Sequence, residues 1–423
     1  MYDVAVVGAG PAGLMAAKTA AELGLKTVLL EKRAAVYPIT RACCQQFVMD
    51  EGYERETIRV EKGRIVFLRN DFSVPYDGPL FSVAEKRYMS PGGHAIRFTN
   101  QDGSPLAVQF DKGALNRGLL EQGELVGVDI MTGVTVYDAR DDGEKNVLSL
   151  TCKGVRSSLT AKKLIVADGA NSRAAEALGM NAQRTFHLAT SCMCYLLEGV
   201  LDSERHIMKS FMGGVYQSRA PIILYPFFDD VDHARLFVAG TKAQLPDEVF
   251  AYARSRGALS PYLEKARVVK KTGCTLKVYS PMSVPHKGNA IAVGDAAAYV
   301  EVEVQGALMC GFHAAKAVSA ELSGEEGFKR YTDWWQRSFE FNSDAVLRVA
   351  QGYALVPTYT DDELDFLFGL VEQETLPGSY SQYNTPKYMW DAIFKKKEVI
   401  GRERPALLTK INNNMNISLS DVL

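Results

Sequence analysis

Residues 2–31 read YDVAVVGAGPAGLMAAKTAAELGLKTVLLE, and this stretch decides the fold. Tyr2–Val7 is a short β-rich apolar run, Gly8–Gly13 a glycine turn, and residues 14–23 an alanine-rich run with helical spacing. Gly24 sits where a helix is expected to end, and residues 26–30 form a second strand that closes on Glu31. Strand, turn, helix and strand within about thirty residues make a βαβ unit. The turn Gly8-Ala9-Gly10-Pro11-Ala12-Gly13 fits G-x-G-x-x-G in the place that motif requires. Gly8 permits the tight turn, Gly10 lets a pyrophosphate approach the backbone, and Gly13 allows close packing of helix on strand. The helix N-terminus adds a partial positive charge. Glu31, with Lys32 beside it, stands where a carboxylate accepts hydrogen bonds from an adenosine ribose. Dinucleotide binding follows, although the motif by itself does not separate NAD from FAD.

Two later segments do separate them. Leu164–Ser172 (LIVADGANS) is a strand running into the Asp168-Gly169 turn, followed by Arg173 and Leu178-Gly179. Ala290–Ala297 (AIAVGDAA) runs into Gly294-Asp295 and leads to Gly306 and Ala314-Ala315. With the first motif, these resemble the FAD-binding fingerprints of the p-hydroxybenzoate hydroxylase-like flavoproteins. Within that superfamily the chain is most similar to the geranylgeranyl reductase family, through residues 2–44, 111–179 and 289–316. The resemblance implies an α/β protein: a Rossmann-like FAD-binding domain, an inserted mixed β-sheet substrate domain and a C-terminal helical region. The expected division is 1–70, 107–180 and 275–325 for the FAD domain, 71–106 and 181–274 for the substrate domain, and 326–423 for the helical region.

The resemblance also names site residues. Arg41, with Ala42, Cys43 and Cys44, falls where the family carries a basic residue before a Cys-Gly pair near the isoalloxazine, and Arg41 would steady the pyrophosphate or the ring. Here the cysteine is doubled and no glycine follows. Asp295, at the carboxyl end of its strand, would bind a ribityl hydroxyl. Gly306-Ala307-Leu308 would form a turn opening a helix to about Ser323, its N–H groups facing the flavin N1–C2=O edge. Between them, Val302 replaces the family's proline and Gln305 one of its glycines. Glu301 and Glu303 fall on one side if that segment is extended. They would donate protons, pair with a cation or bind a metal, or simply face solvent. Cys43, Cys44, Glu301 and Glu303 are the catalytic candidates. The apolar run Ile222–Phe228 (IILYPFF) is a faint echo of the family's lipid-tunnel segment, and a plain core strand would read the same way.

Composition bounds the rest. The 423 residues carry 48 Lys+Arg against 50 Asp+Glu, a net charge of -2, so no overall field draws in nucleic acid or anionic lipid. The seven cysteines form no CxxC pair, and the histidines form no metal-binding pattern, so no metal site is expected and a reducing cytoplasm is. Cys192 and Cys194 alternate on a strand and are expected to be small buried residues. No apolar stretch reaches the roughly 18 residues that span a bilayer, which leaves peripheral membrane contact open. Residues 325–355 read as a helix with an aromatic stripe, and residues 402–423 as a loose tail.

The resemblance thus implies an FAD-dependent oxidoreductase that passes hydride through flavin N5 to or from an apolar or lipid-like substrate, as in C=C reduction. An aromatic monooxygenase using NAD(P)H and O₂ and an electron-transfer flavoprotein are the alternatives. A single G-x-G-x-x-G leaves no separate nicotinamide domain. Electrons would come from NAD(P)H docking transiently or from a redox partner such as reduced ferredoxin.

Overall fold

The computed structural model describes residues 1–49, 56–241, 243–343, 356–379, 381 and 384–414. Its first sheet grows from the βαβ unit. Tyr2–Val7 lies parallel to Thr27–Glu31 on one side and to residues 161–166 on the other. Asp129–Thr132 and Ala290–Ala292 extend the parallel set outward. The strand expected to lead into Asp168-Gly169 starts earlier, at Val155, and its first half joins an antiparallel meander with Asn146–Cys152 and Val134–Asp141. Every residue of Thr27–Glu31 is buried, as a strand covered on both faces requires.

Register places the glycine and acid turns together. Val7 pairs with Val166, and Val166 with Ala292, so Gly8, Asp168 and Gly294 follow the carboxyl ends of three adjacent strands. That edge is where open α/β sheets bind ligands.

Two helices cover this edge. Pro11–Glu22 follows Gly10, with Pro11 at a position where its missing N–H costs nothing, and Gly24 ends it at φ +81°. The other helix runs Glu303–Leu322. The two pack at backbone distance, because a Cβ on Gly311 would stand 2.2 Å from the Ala12 carbonyl oxygen.

The second large sheet is mixed and eight-stranded. In order it holds Arg267–Tyr279, Phe186–Glu198, Asp230–Gly240, Ile222–Phe227, Ile207–Phe211, Glu85–Met89, Ala95–Thr99 and Thr375–Pro377. Small sheets at Ile58–Pro75 and at Gln46–Val48, Ala107–Phe110 and Leu80–Val83 fill the junction.

The expected limits shift in several places. The boundary at 70/71 falls inside the Ile58–Pro75 sheet, and that at 274/275 inside Arg267–Tyr279. Thr375–Pro377 takes the helical region's chain into the second sheet. The aromatic helix runs only Gly327–Ser338, with Trp335 fully buried and its Nε1 donating to the Met282 carbonyl at 2.8 Å. The remainder of the expected 325–355 helix past 343 lies outside the described residues. The expected loose tail is helical over Pro405–Asn414, where Leu407 and Ile411 are buried; residues 415–423 lie outside the described residues. Among the described residues, no helix is long and apolar enough to cross a membrane.

Candidate flavin site

The three motif glycines have separate steric reasons. Gly8, at φ +101°, would put a Cβ 2.5 Å from the Ala167 carbonyl oxygen, and Gly13 would put one 1.8 Å from that of Gly8. A Cβ on Gly10 meets nothing within 4 Å, and its φ of −79° suits any residue. The fold therefore needs Gly8 and Gly13, while the space over Gly10 is left for something outside the chain. That space lies at the N-terminus of Pro11–Glu22, whose first turn carries no acidic side chain to compete with a diphosphate.

Glu31 is buried and already ordered. Its Oε2 accepts from the Ala9 N–H at 2.8 Å, and its Oε1 from the Arg33 backbone N–H and Nε. Burial raises its pKa, the bonds from Arg33 and Ala9 lower it more, and the net shift is downward, which favours a carboxylate at the end of the second strand. Lys32 is exposed, and Arg33 is the basic residue paired with Glu31. Its place two residues past Glu31 was the available signal.

Asp168 Oδ2 accepts from the N–H groups of Arg173 and Ala174, while its Oδ1 is buried with no partner among the described residues. Burial raises its pKa. Beside it, Gly169 has φ +82° and leaves room for Arg41, whose Nη1 would stand 3.0 Å from a Cβ there. Arg41 Nη2 reaches Asp295 Oδ2 at 3.6 Å, and Asp295 Oδ1 takes the Val302 N–H at 3.1 Å. One arginine thus joins the second fingerprint to the third. Arg184, absent from the sequence reading, clamps the same turn by donating to the carbonyls of Ala296 and Ala298 at 3.0 and 2.7 Å.

The helix start corrects one expectation. Gly306, Ala307 and Leu308 form no turn; they lie inside the helix and are buried, with Leu308 fully enclosed. The N–H groups without intrahelical acceptors belong to Glu303, Val304 and Gln305. Nor is the approach extended, because Val300 and Glu303 both have φ of +58°. Gln305, in the glycine position, is fully buried and its Oε1 accepts from the Val48 N–H at 3.1 Å. Glu301 is half-buried. Burial, then the charges of Glu303 and Asp295, push its carboxyl well above the usual range despite Arg41.

The thiols gather here. Cys44 lies close to Cys43, Cys194, Glu303 and Glu301, and burial pushes its thiol up. Cys43 Sγ accepts from Lys112 Nζ at 3.7 Å. Cys194, on the strand next to the edge of the second sheet, contacts the Tyr225 hydroxyl at 3.1 Å. Tyr225 is buried and close to Cys44, so the Ile222–Phe228 strand does reach the site. Arg235 backs it, lying over Phe227 and Phe228 at 4.7 and 5.2 Å. A separate cleft of about 380 Å³ at Met212–Pro221 touches none of these residues. His313 stacks on Trp334 at 4.1 Å and is held neutral by burial, a packing role.

The fit to FAD is therefore specific: open space over Gly10, an ordered Glu31, an unpartnered Asp168 oxygen, and Asp295 with Arg41 before a helix N-terminus. Residues 2–207 match the pyridine nucleotide-disulphide oxidoreductase family. Digeranylgeranylglycerophospholipid reductase 1 of Methanococcoides burtonii is 25% identical over 381 residues, 86% of each chain. The Methanocaldococcus jannaschii digeranylgeranylglycerophospholipid reductase is 24% identical over 416 residues, 95% of this chain and 97% of its own. A geranylgeranyl bacteriochlorophyll reductase-like protein of Thermoplasma acidophilum superposes with a TM-score of 0.68 at 18% identity, covering 98% of this chain and 99% of its own. The chain is thus similar along most of its length to geranylgeranyl-type reductases. It is an FAD-dependent oxidoreductase, with a reductase or dehydrogenase favoured over a monooxygenase.

Proposed function

We propose that this flavoprotein reduces carbon–carbon double bonds of an isoprenoid lipid, working in the cytoplasm at the membrane surface. Likeness along nearly the whole chain to the two archaeal reductases supports the substrate class. Free thiols throughout the described residues support a reducing compartment. The electron donor is NAD(P)H or a small redox protein such as reduced ferredoxin.

The observation that carries the reading is the Glu301 carboxyl beside the flavin turn, pushed by burial and neighbouring negative charge above the usual carboxylate range. Bound there, FAD supplies the hydride at N5. Reducing a C=C bond needs a proton on the other carbon, and Glu301, held neutral by burial and by neighbouring negative charge, keeps one available. Arg41 and Asp295 orient the cofactor edge, and Glu31 the adenosine. Cys44, Cys194 and Tyr225 form a weakly polar wall that excludes water from the reacting carbons.

Glu301→Gln keeps the shape and removes the proton. Flavin content should be retained, and lipid reduction should fall by about 10²–10⁴-fold. Unchanged reduction in a flavin-loaded Glu301→Gln protein contradicts the assignment. Substrate-dependent oxygen uptake with a hydroxylated product contradicts the reductase reading.

A further inference from the structure

Arg267–Tyr279 is the edge strand of the second sheet, and it pairs antiparallel with Phe186–Glu198 so that Cys192 faces Cys274 directly. Residues opposed in this way have Cα atoms about 4.5–5.5 Å apart. That spacing falls within the roughly 4.4–6.8 Å a disulfide accepts. Cys192 is buried and Cys274 half-buried, both as free thiols. The proton-donor reading of the flavin site uses neither.

The surroundings favour a thiolate on Cys274. Its sulfur lies beside three donors, the Cys192 thiol, the Arg41 guanidinium and the Ala42 backbone N–H. The segment supplying two of these donors is tied to the strand, because the Gly273 N–H donates to the Thr40 carbonyl at 3.1 Å. Asn171 holds the same free edge farther along, donating to the Thr275 carbonyl at 2.6 Å and accepting from the Lys277 N–H at 2.9 Å. Glu301 is the acidic group facing the pair. Led by the Cys192 bond and helped by Arg41, these contacts bring the Cys274 thiol down to about 6, while the same bond and burial raise Cys192. One cysteine is thus an attacking thiolate and its neighbour a protonated resolving thiol.

We propose that Cys192 and Cys274 form a reversible dithiol–disulfide site that exchanges with low-molecular-weight disulfides. The Cys274 thiolate attacks one sulfur of RSSR, forming Cys274–S–SR and releasing RS⁻. Cys192 gives its proton to that thiolate and attacks the Cys274 sulfur, forming the Cys192–Cys274 bond and displacing a second RS⁻. The pair loses two electrons and RSSR gains them. Oxidation removes the negative charge in front of Arg41, leaving Asp295 at 3.6 Å as the carboxylate it faces. The thiol state is thereby coupled to the flavin turn.

The test uses purified holoprotein with oxidised glutathione at pH 7, quenched with N-ethylmaleimide and mapped by peptide mass spectrometry. The expected result is a Cys192–Cys274 cross-linked peptide and two fewer alkylatable thiols than the seven in the chain. Cys192→Ser should stall with glutathione on Cys274, and dithiothreitol should reverse both products. In reduced protein, iodoacetamide at pH 7 should label Cys274 about tenfold faster than cysteines of the unfolded chain. A full thiol count after oxidation, or a link confined to Cys43 and Cys44, overturns the proposal. If Cys192→Ser does not fold, Cys274→Ser serves instead: glutathione on Cys192 in that variant overturns the proposal, and an unmodified Cys192 supports it.

Discussion

Gly10 and Gly13 belong to one motif yet answer to different forces. A methyl at Gly10 meets only open space, so Gly10→Ala should fold with stability within about 0.5 kcal/mol of the parent and lose its yellow colour. A methyl at Gly13 would stand 1.8 Å from the Gly8 carbonyl oxygen, so Gly13→Ala should be destabilised by about 1–3 kcal/mol. Thermal melts and flavin absorbance of both variants decide this; equal flavin content in Gly10→Ala and the parent would return the open space to solvent. Glu301 gives a pH test at the same scale. Its folded pKa is raised, so folding favours its protonated form. The stability it contributes is full below the unfolded value of about 4.3 and declines as pH rises through the folded value. Glu301→Gln should remove that decline and be more stable than the parent at neutral to alkaline pH. A Glu301→Gln protein tracking the parent's denaturation midpoint from pH 4 to pH 9 would show that the carboxyl is not shifted.

At the scale of elements, the meeting of helices Pro11–Glu22 and Glu303–Leu322 brings the first fingerprint to the third. Gly311→Ala would drive a methyl against the Ala12 carbonyl oxygen, 2.2 Å away. We expect a loss of about 1–3 kcal/mol and weaker flavin binding together, because the same displacement moves the helix start beside Asp295. Denaturant unfolding and flavin titration of the variant check it, and loss of stability with unchanged affinity would uncouple the two. The helix itself was only partly legible in the sequence. Its body showed as 3.6-residue periodicity, but its start at Glu303 depends on positive φ at Val300 and Glu303, which neither residue type signals. Likewise Pro405–Asn414 is helical because Leu407 and Ile411 find a packed surface, a tertiary effect that overrides its polar run of asparagines.

Across the whole molecule, the parallel frame was readable because each of its parts is local. A strand, a glycine turn and an acid lie within a few residues of one another, and register then sets Gly8, Asp168 and Gly294 side by side. The wall opposite was readable only in pieces, as Cys44 and the Ile222–Phe228 run, and not as one surface. Cys44, Cys194, Tyr225 and Arg235 come from distant segments, and only the pairing of the second sheet brings them together. Arg184, which clamps the Gly294–Ala298 turn, and the opposition of Cys192 to Cys274 were hidden for the same reason. The most direct measurement is anaerobic incubation of the holoprotein with dithionite and a geranylgeranyl lipid, followed by mass spectrometry of the lipid. The account predicts that the lipid gains one H₂ for each double bond reduced, without oxygen. A lipid left unchanged by a fully reduced flavoprotein would contradict it.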